Sequence, residues 1–277
     1  MTERSRGNEI RLTRVYDAPL RAVWDAWTDP DQVAAWWGPR GFTLTTHSKD
    51  LRSGGTWRYT MHGPDGVDYP NVTRYLEVEP LRRLVYDHGG TDDRPALFRV
   101  TVTFSERRGR TTMEMTSTLP TPEAAAAMAR FIHQAGGNAT WDRLAEHLDG
   151  RANGRPSFVV HRAFEAPVAR LVAHWSEAAL RARWSPPLDA PHLALRPTDG
   201  EAGETCFAVE GGADDARTTV RFTDAAHDGA RVRVWQAPRD GATEAELAAF
   251  AGARAERSLR WRASFDALDD LLASAGP

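Results

Sequence analysis

The 277-residue sequence predicts an α+β protein built from two tandem copies of one module, each an antiparallel sheet closed by a C-terminal helix. Two observations carry that reading. Tyr16-Asp-Ala-Pro-Leu-Arg-Ala-Val-Trp-Asp-Ala-Trp27, running on to Trp36-Trp37-Gly38-Pro39, returns about 148 residues later as Phe164-Glu-Ala-Pro-Val-Ala-Arg-Leu-Val-Ala-His-Trp175, running on to Trp184-Ser185-Pro186-Pro187. Within each copy, alternating apolar and polar stretches follow this motif, and a segment of helical period ends the copy. The expected domains are 1–150 and 151–277, joined by a linker at Asp149-Gly-Arg-Ala-Asn-Gly-Arg-Pro156.

Composition narrows the class. Apolar residues make up 41% of the chain, enough for two cores, and the net charge of -3 is spread without the basic stripe that nucleic-acid binding leaves. Cys206 is the one cysteine, which excludes an internal disulfide and a cysteine-based metal cluster. No apolar run reaches the roughly 20 residues of a membrane helix, and the first residues lack the apolar core of a signal peptide. A cytoplasmic protein is expected. Lys49 is the sole lysine, a bias that a GC-rich coding sequence produces.

The elements follow in order. Glu9 to Tyr16 alternates as a half-buried strand. Pro19 is expected at the first turn of a helix carrying Leu20, Val23, Trp24 and Trp27, and Asp29-Pro30 restarts a short second helix that Gly38-Pro39 ends. Strands are expected at Phe42 to Leu51, Thr56 to His62, Val72 to Val78, Leu84 to His88, Phe98 to Phe104 and Thr111 to Thr118. Gly63-Pro64-Asp65-Gly66 and Arg107-Arg-Gly-Arg110 supply turns. Thr121-Pro122 opens a helix with two apolar stripes, Met128, Phe131, Ile132 and Ala135, then Trp141, Leu144, Ala145 and Leu148, with Gly136-Gly137 as a bend between them.

The second copy has a strand from Ser157 to Phe164 and two short helices from Pro167 to Trp184. Strands are expected at His192 to Leu195, Thr205 to Val209, Thr218 to Phe222 and Arg231 to Gln236. Thr243-Glu-Ala-Glu246 is a capping box that opens a long last helix through Trp261, Phe265, Leu268 and Leu272. This copy is shorter by about one hairpin.

Ala18-Pro19, Trp24, Trp27, Trp36-Trp37-Gly38-Pro39, Gly54-Gly55-Thr56-Trp57 and Trp141-Asp-Arg-Leu-Ala-Glu-His-Leu148 resemble the START-like (SRPBCC, Bet v 1-like) superfamily, in the branch named after the activator of the Hsp90 ATPase. The second copy replaces Gly-Gly-x-Trp with Gly203-Glu204-Thr205-Cys206. The resemblance implies a helix-grip fold in which a curved sheet wraps a long C-terminal helix around an apolar cavity. It implies binding of lipids, sterols, polyketides and other flat apolar molecules, with a minority of members acting as cyclases or aromatases. Fold alone does not choose among these.

The leading expectation is therefore binding of an apolar, polycyclic small molecule, such as an aromatic polyketide or other secondary metabolite, for sequestration, transport or self-resistance. A polyketide cyclase or dehydratase in the same cavity and a protein-interaction module are the alternatives. The candidate ligand contacts are Trp57, Tyr59, Met61, Tyr86, His88, Met113, Met115, Met128, Phe131 and Trp141. Trp57, Tyr59 and Met61 share one strand face, and Met113 and Met115 share another, where pliable thioethers suit an irregular ligand. Which face is inward does not follow from one strand. Trp24, Trp27, Trp175 and Trp261 read as core; for Trp57 and Trp141 core and ligand contact are both open.

Glu114 and His88 are the candidate acid–base groups, with Asp68 and Tyr86 behind them. Glu114 is either a solvated residue or a buried acid with a raised pKa. His62, His88 and His133 have no helical metal-site spacing, so no metal or other cofactor is expected. Cys206 has no basic neighbour at a nucleophile spacing and reads as a packed strand thiol. Gly89-Gly90 and Gly211-Gly212 lack the setting of a phosphate loop.

Overall fold

The structure, a computed structural model, describes residues 7–91, 93–134, 139–184, 194–210, 216–225 and 229–274. The chain divides into two compact units, Thr2–Ala152 and Asn153–Pro277.

The first unit runs β1 (Glu9–Tyr16), α1 (Leu20–Thr28), α2 (Pro30–Trp36), β2 (Thr43–Lys49), β3 (Thr56–His62), β4 (Asp68–Glu79), β5 (Arg83–Gly90), β6 (Phe98–Arg107), β7 (Arg110–Thr118), α3 (Pro122–Gln134) and α4 (Ala139–Asn153). Its strands form one antiparallel sheet in the order β1-β7-β6-β5-β4-β3-β2, so β1 and β2 are the edges. Pro19 falls one place before the expected first turn, as the N-cap of α1, with φ -67° and ψ 152°. Asp29 caps α2, its carboxylate accepting from the Asp31 and Gln32 amides, while Pro30 fills the first turn. The β6–β7 hairpin closes on Arg108 and Gly109, at φ 53° and 73°, the left-handed pair that a two-residue turn of matching twist needs. Two irregularities in the β4–β5 register, at Val72/Arg74 and Tyr75/Glu77, bend the sheet where β4 is longest.

Cross-strand register settles which face is inward. Trp57 lies opposite Thr73 and Lys49, Tyr75 opposite Tyr86, Tyr86 opposite Val100, and His88 opposite Phe98. Phe104 lies opposite Met113, Val102 opposite Met115, and Met115 opposite Leu12. One continuous face thus carries Trp57, Tyr59, Tyr75, Tyr86, Val100, Val102, Phe104 and Met113, all buried. The helices cover this face. Trp24 and Trp27 of α1 each meet Phe104 edge-on, and Trp27 stacks on Trp141 of α4 with centroids 5.6 Å apart and planes 14° apart.

Two expectations change here. The C-terminal helical segment of this unit is two helices, α3 and α4; the expected bend at Gly136-Gly137, with Ala135, lies outside the described residues. Residues 149–153, expected as linker, are the last turn of α4.

The second unit runs β8 (Phe158–Phe164), α5 (Val168–Ser176), α6 (Ala178–Arg181), β9 (Ala194–Thr198), β10 (Glu204–Glu210), β11 (Ala216–Ala225), β12 (Gly229–Pro238), α7 (Glu244–Gly252) and α8 (Arg254–Ser274). Its sheet is antiparallel in the order β8-β12-β11-β10-β9, the first unit's order with one hairpin fewer. Thr243 and Glu246 form the expected capping box. The long last helix is interrupted at Ala253, which separates α7 from α8. Of the strand expected at His192 to Leu195, the described part begins at Ala194; Ser185-Pro186-Pro187 and Gly211-Gly212 lie outside the described residues. The core is one cluster, with Phe158, Leu171, Trp175, Trp184, Val220, Phe222, Val232, Val234 and Leu268 fully enclosed.

Candidate functional site

The centre of the first unit's concave face is built from neutral side chains. Trp57 and Tyr59 stack at 4.0 Å, and Trp37, the residue that ends α2, stands edge-on to Trp57 at 5.3 Å and tilted over His88 at 6.1 Å. His88 contacts Phe98 at 5.0 Å and Tyr86 at 6.4 Å, and Tyr86 contacts Tyr75 at 6.3 Å. Alternation along β3, β4 and β5 produces this wall, because each strand contributes every second residue to it.

Burial sets the protonation states. The Tyr59, Tyr75 and Tyr86 hydroxyls are all pushed well above the ordinary tyrosine range by desolvation, so they stay protonated as donors. Desolvation lowers the His88 imidazole to about 4, so it is neutral at pH 7. Three polar atoms of this wall have no hydrogen-bond partner: Tyr59 Oη, Thr73 Oγ1 and His88 Nδ1. The Tyr59 hydroxyl lies near the Trp37 and Thr73 side chains without closing a hydrogen bond to either. Tyr59 and Thr73 are each 1% exposed, and an unpaired polar group buried that deeply costs on the order of 1–3 kcal/mol.

Not all of the wall is closed. Met61, His88, Phe98 and Met115 point to the concave side yet keep part of their surface open, as do Met128 of α3 and Trp141 of α4. His88 combines a desolvated imidazole with a part-open surface. Met113, between these residues and the α1 tryptophans, is fully closed.

The remaining candidates are placed elsewhere. Glu114 is exposed, on the face of β7 opposite Met113 and Met115, so it is not a buried acid of the wall. His62 and Asp68 stand on the outer face: Asp68 Oδ1 takes His62 Nδ1 at 2.7 Å, and His62 Nε2 meets Thr45 Oγ1 at 2.9 Å. His62 is therefore no part of the wall. The side chains of Phe131 and His133 lie outside the described residues. Cys206 sits half-buried on β10. Among the described residues no cluster of His, Cys, Asp or Glu could hold a metal ion.

Charged residues that sequence reasoning passed over frame the wall. Arg40 and Glu146 form a buried ion pair at 2.6 Å, with side chains 11% and 4% exposed. Burial works against the Arg40 charge, but the Glu146 carboxylate outweighs it and the guanidinium pKa is raised. Arg143 gathers the Gly38, Pro39 and Phe42 carbonyls at 2.9, 2.8 and 3.2 Å and that of Ala35 at 3.2 Å, which ties the chain after α2 to α4. Lys49, on edge strand β2, donates to the Trp27 carbonyl at 2.9 Å and lies 4.3 Å over the Trp57 ring. Desolvation lowers its pKa to about 7, against the opposing charge of Asp29. No helix among the described residues is long and apolar enough to cross a membrane.

A curved antiparallel sheet gripping C-terminal helices over an aromatic wall defines a helix-grip protein. Residues 17–149 match the family described as activator of Hsp90 ATPase homolog 1-like protein. That match spans nearly the whole of the first unit and agrees with the resemblance of its sequence to the START-like (SRPBCC) superfamily. Similar solved structures include a Staphylococcus epidermidis protein, 27% identical over 55% of this chain and 95% of its own, with a TM-score of 0.49. An Arthrobacter aurescens protein is 26% identical over 53% of this chain and 88% of its own, with a TM-score of 0.48. DynU16, a protein of the dynemicin biosynthetic locus, is 19% identical over 95% of this chain and 98% of its own, with a TM-score of 0.39. No curated protein matches the chain.

Proposed function

We propose that the first unit binds an apolar, polycyclic small molecule between its concave sheet and its helices, a secondary metabolite such as an aromatic polyketide being the class in view, for sequestration, transport or self-resistance. The observation that carries this reading is the set of inward residues with open surface, Met61, His88, Phe98 and Met115 on the sheet and Met128 and Trp141 on the helices. A space lined by thioethers and aromatic rings with a few polar groups is what a flat apolar ligand requires. The family match over residues 17–149 supports the same reading. The cyclase alternative loses the carboxylate it relied on, since Glu114 is exposed and away from this space. His88 is then its one remaining candidate base.

Titration with a panel of tricyclic and tetracyclic aromatics, followed by tryptophan fluorescence, tests the proposal. One equivalent should quench saturably, and Met115→Trp, which fills the space, should weaken binding at least tenfold, about 1.4 kcal/mol. No saturable binding by any member, or binding untouched by Met115→Trp, would sink it.

A further inference from the structure

The same wall also constrains the ligand's own chemistry, given that the first unit binds a polycyclic molecule as proposed. Two cations lie on the concave face, and both are on its edge strands: Arg14 on β1, and Lys49 on β2, already held by the Trp27 carbonyl. Between those edges, the inward positions of β3, β5, β6 and β7 carry one charged side chain, Glu106 at the far end of β6, whose carboxylate accepts from the Leu20 amide. The buried acids of α4, Asp142 and Glu146, both act on the Arg40 guanidinium, and Glu146 is paired with it. A carboxylate or ammonium placed against the centre of this wall would therefore lose its hydration without meeting an opposite charge, a heavily unfavourable exchange.

The centre is not purely apolar either. Tyr59 Oη, Thr73 Oγ1 and His88 Nδ1 come from three neighbouring strands, β3, β4 and β5, and none has a partner. Trp37 covers the group: it is within ring-contact distance of Trp57 and His88, and its side chain lies near the Tyr59 hydroxyl. Directly after it, Gly38 takes φ 98°, and a Cβ there would stand 3.0 Å from the Met61 methyl. Trp37 is thus a ring at the end of a helix, followed by a backbone position that only glycine accommodates without strain, and its displacement would open the three polar atoms to the space beside Met61.

We propose that the ligand is an uncharged aromatic molecule bearing a carbonyl or phenol oxygen, and that this oxygen takes up the unpaired polar atoms of Tyr59, Thr73 and His88. The hydroxyls donate to a ligand carbonyl, and a neutral imidazole or the tyrosine oxygen accepts from a ligand phenol. Discrimination comes from the protein's side: a hydrocarbon leaves the three groups unpaired, as they are now, whereas an oxygen at that place pairs them.

Three probes of one shape test this on the full chain: anthracene, anthraquinone and anthraquinone-2-carboxylate, titrated by tryptophan quenching and by calorimetry. Anthraquinone should bind at least tenfold more tightly than either of the others. Tyr59→Phe combined with Thr73→Val should reduce its advantage over anthracene to under threefold, while Thr73→Ser, which keeps a hydroxyl, should retain most of it. Anthracene binding as tightly as anthraquinone, the carboxylate binding as tightly or more so, or an advantage indifferent to the double variant would overturn the inference and leave the binding proposal standing. If none of the three probes and no member of the wider panel binds, the binding proposal fails and this inference goes with it.

Discussion

The two units solve the same packing problem around a tryptophan and then part company. In the first, Trp27 stacks on Trp141 at 5.6 Å and 14°, meets Trp36 at 5.4 Å and Phe104 edge-on at 5.7 Å. In the second, Trp175 stacks on Trp261 at 5.9 Å and 15°, meets Trp184 at 4.9 Å and Phe222 edge-on at 5.8 Å. Even the indole hydrogen bonds correspond: Trp36 Nε1 donates to the Ala26 carbonyl and Trp184 Nε1 to that of His174. The shared motif is thus a fastener between the short helices, the sheet and the last helix. Beyond it the first unit has two more strands, and its wall carries phenols, an imidazole and unpaired polar atoms. The second packs Phe158, Val160, Val220, Phe222, Val232, Val234, Phe265 and Leu268 into an apolar cluster, with Leu195, Phe207 and Val209 half-buried against it. What the copies share is structural; what they do not share is where a ligand would be read.

The largest effects should be common to both units. Trp27→Ala and Trp175→Ala each remove a buried ring that touches three or more aromatic partners, and each should cost its own unit about 3–5 kcal/mol. Native-state hydrogen exchange at β7 and at β12 reports the two losses separately. If one substitution cost much less than the other, the equivalence of the two fasteners would be wrong.

The ion pairs should separate the units. Arg40→Ala in the first takes the guanidinium from the buried Glu146 carboxylate and should cost about 3–5 kcal/mol, while the double variant Arg40→Met/Glu146→Leu should recover most of that loss. The counterpart in the second unit is weaker in kind. Arg162 pairs with Asp266 and Asp269, whose side chains are 53% and 35% exposed, so Arg162→Ala should cost under about 1 kcal/mol. Denaturant unfolding of the variants checks the contrast, and equal costs would remove it.

The fold was largely legible because its signals are local or periodic. Tryptophan in register marked the duplication, Thr243 with Glu246 marked a helix start, and Arg107 to Arg110 marked a hairpin. The site was legible only in part. Alternation along a strand is symmetric between its faces, so Trp57, Tyr59 and Met61 became inward only once Thr73, Tyr86 and Val100 were placed beside them by register. Glu114 is a different lesson, since its position between Met113 and Met115 already put it on the other face from two apolar residues. Arg40 and Glu146 are 106 positions apart, and no local pattern announces such a pair. The unpaired atoms at Tyr59, Thr73 and His88 were likewise invisible, because a missing partner is a property of three strands together.

The comparison can be sharpened last, and most finely, by acid. His88 of the first unit has a folded pKa of about 4, against an ordinary value of about 6.5, and desolvation is the cause. Between those values the unfolded chain holds a proton that the folded chain refuses, so stability contributed by the neutral ring is complete above pH 6.5 and falls as pH drops toward 4. The loss should reach at most about 3 kcal/mol and should not grow further below pH 4, where both states are protonated. His147, also lowered by desolvation and by Arg151 against the pull of Asp29, adds a contribution of the same sign. His88→Leu should flatten the His88 part of this slope in β5 and β6 of the first unit, with the amides of β11 and β12 as an internal reference. In the wild type the His88 ring resonance should titrate near pH 4. A ring that titrated at its ordinary pH would be hydrated, its open surface would face bulk water, and the binding proposal for the first unit would lose a support.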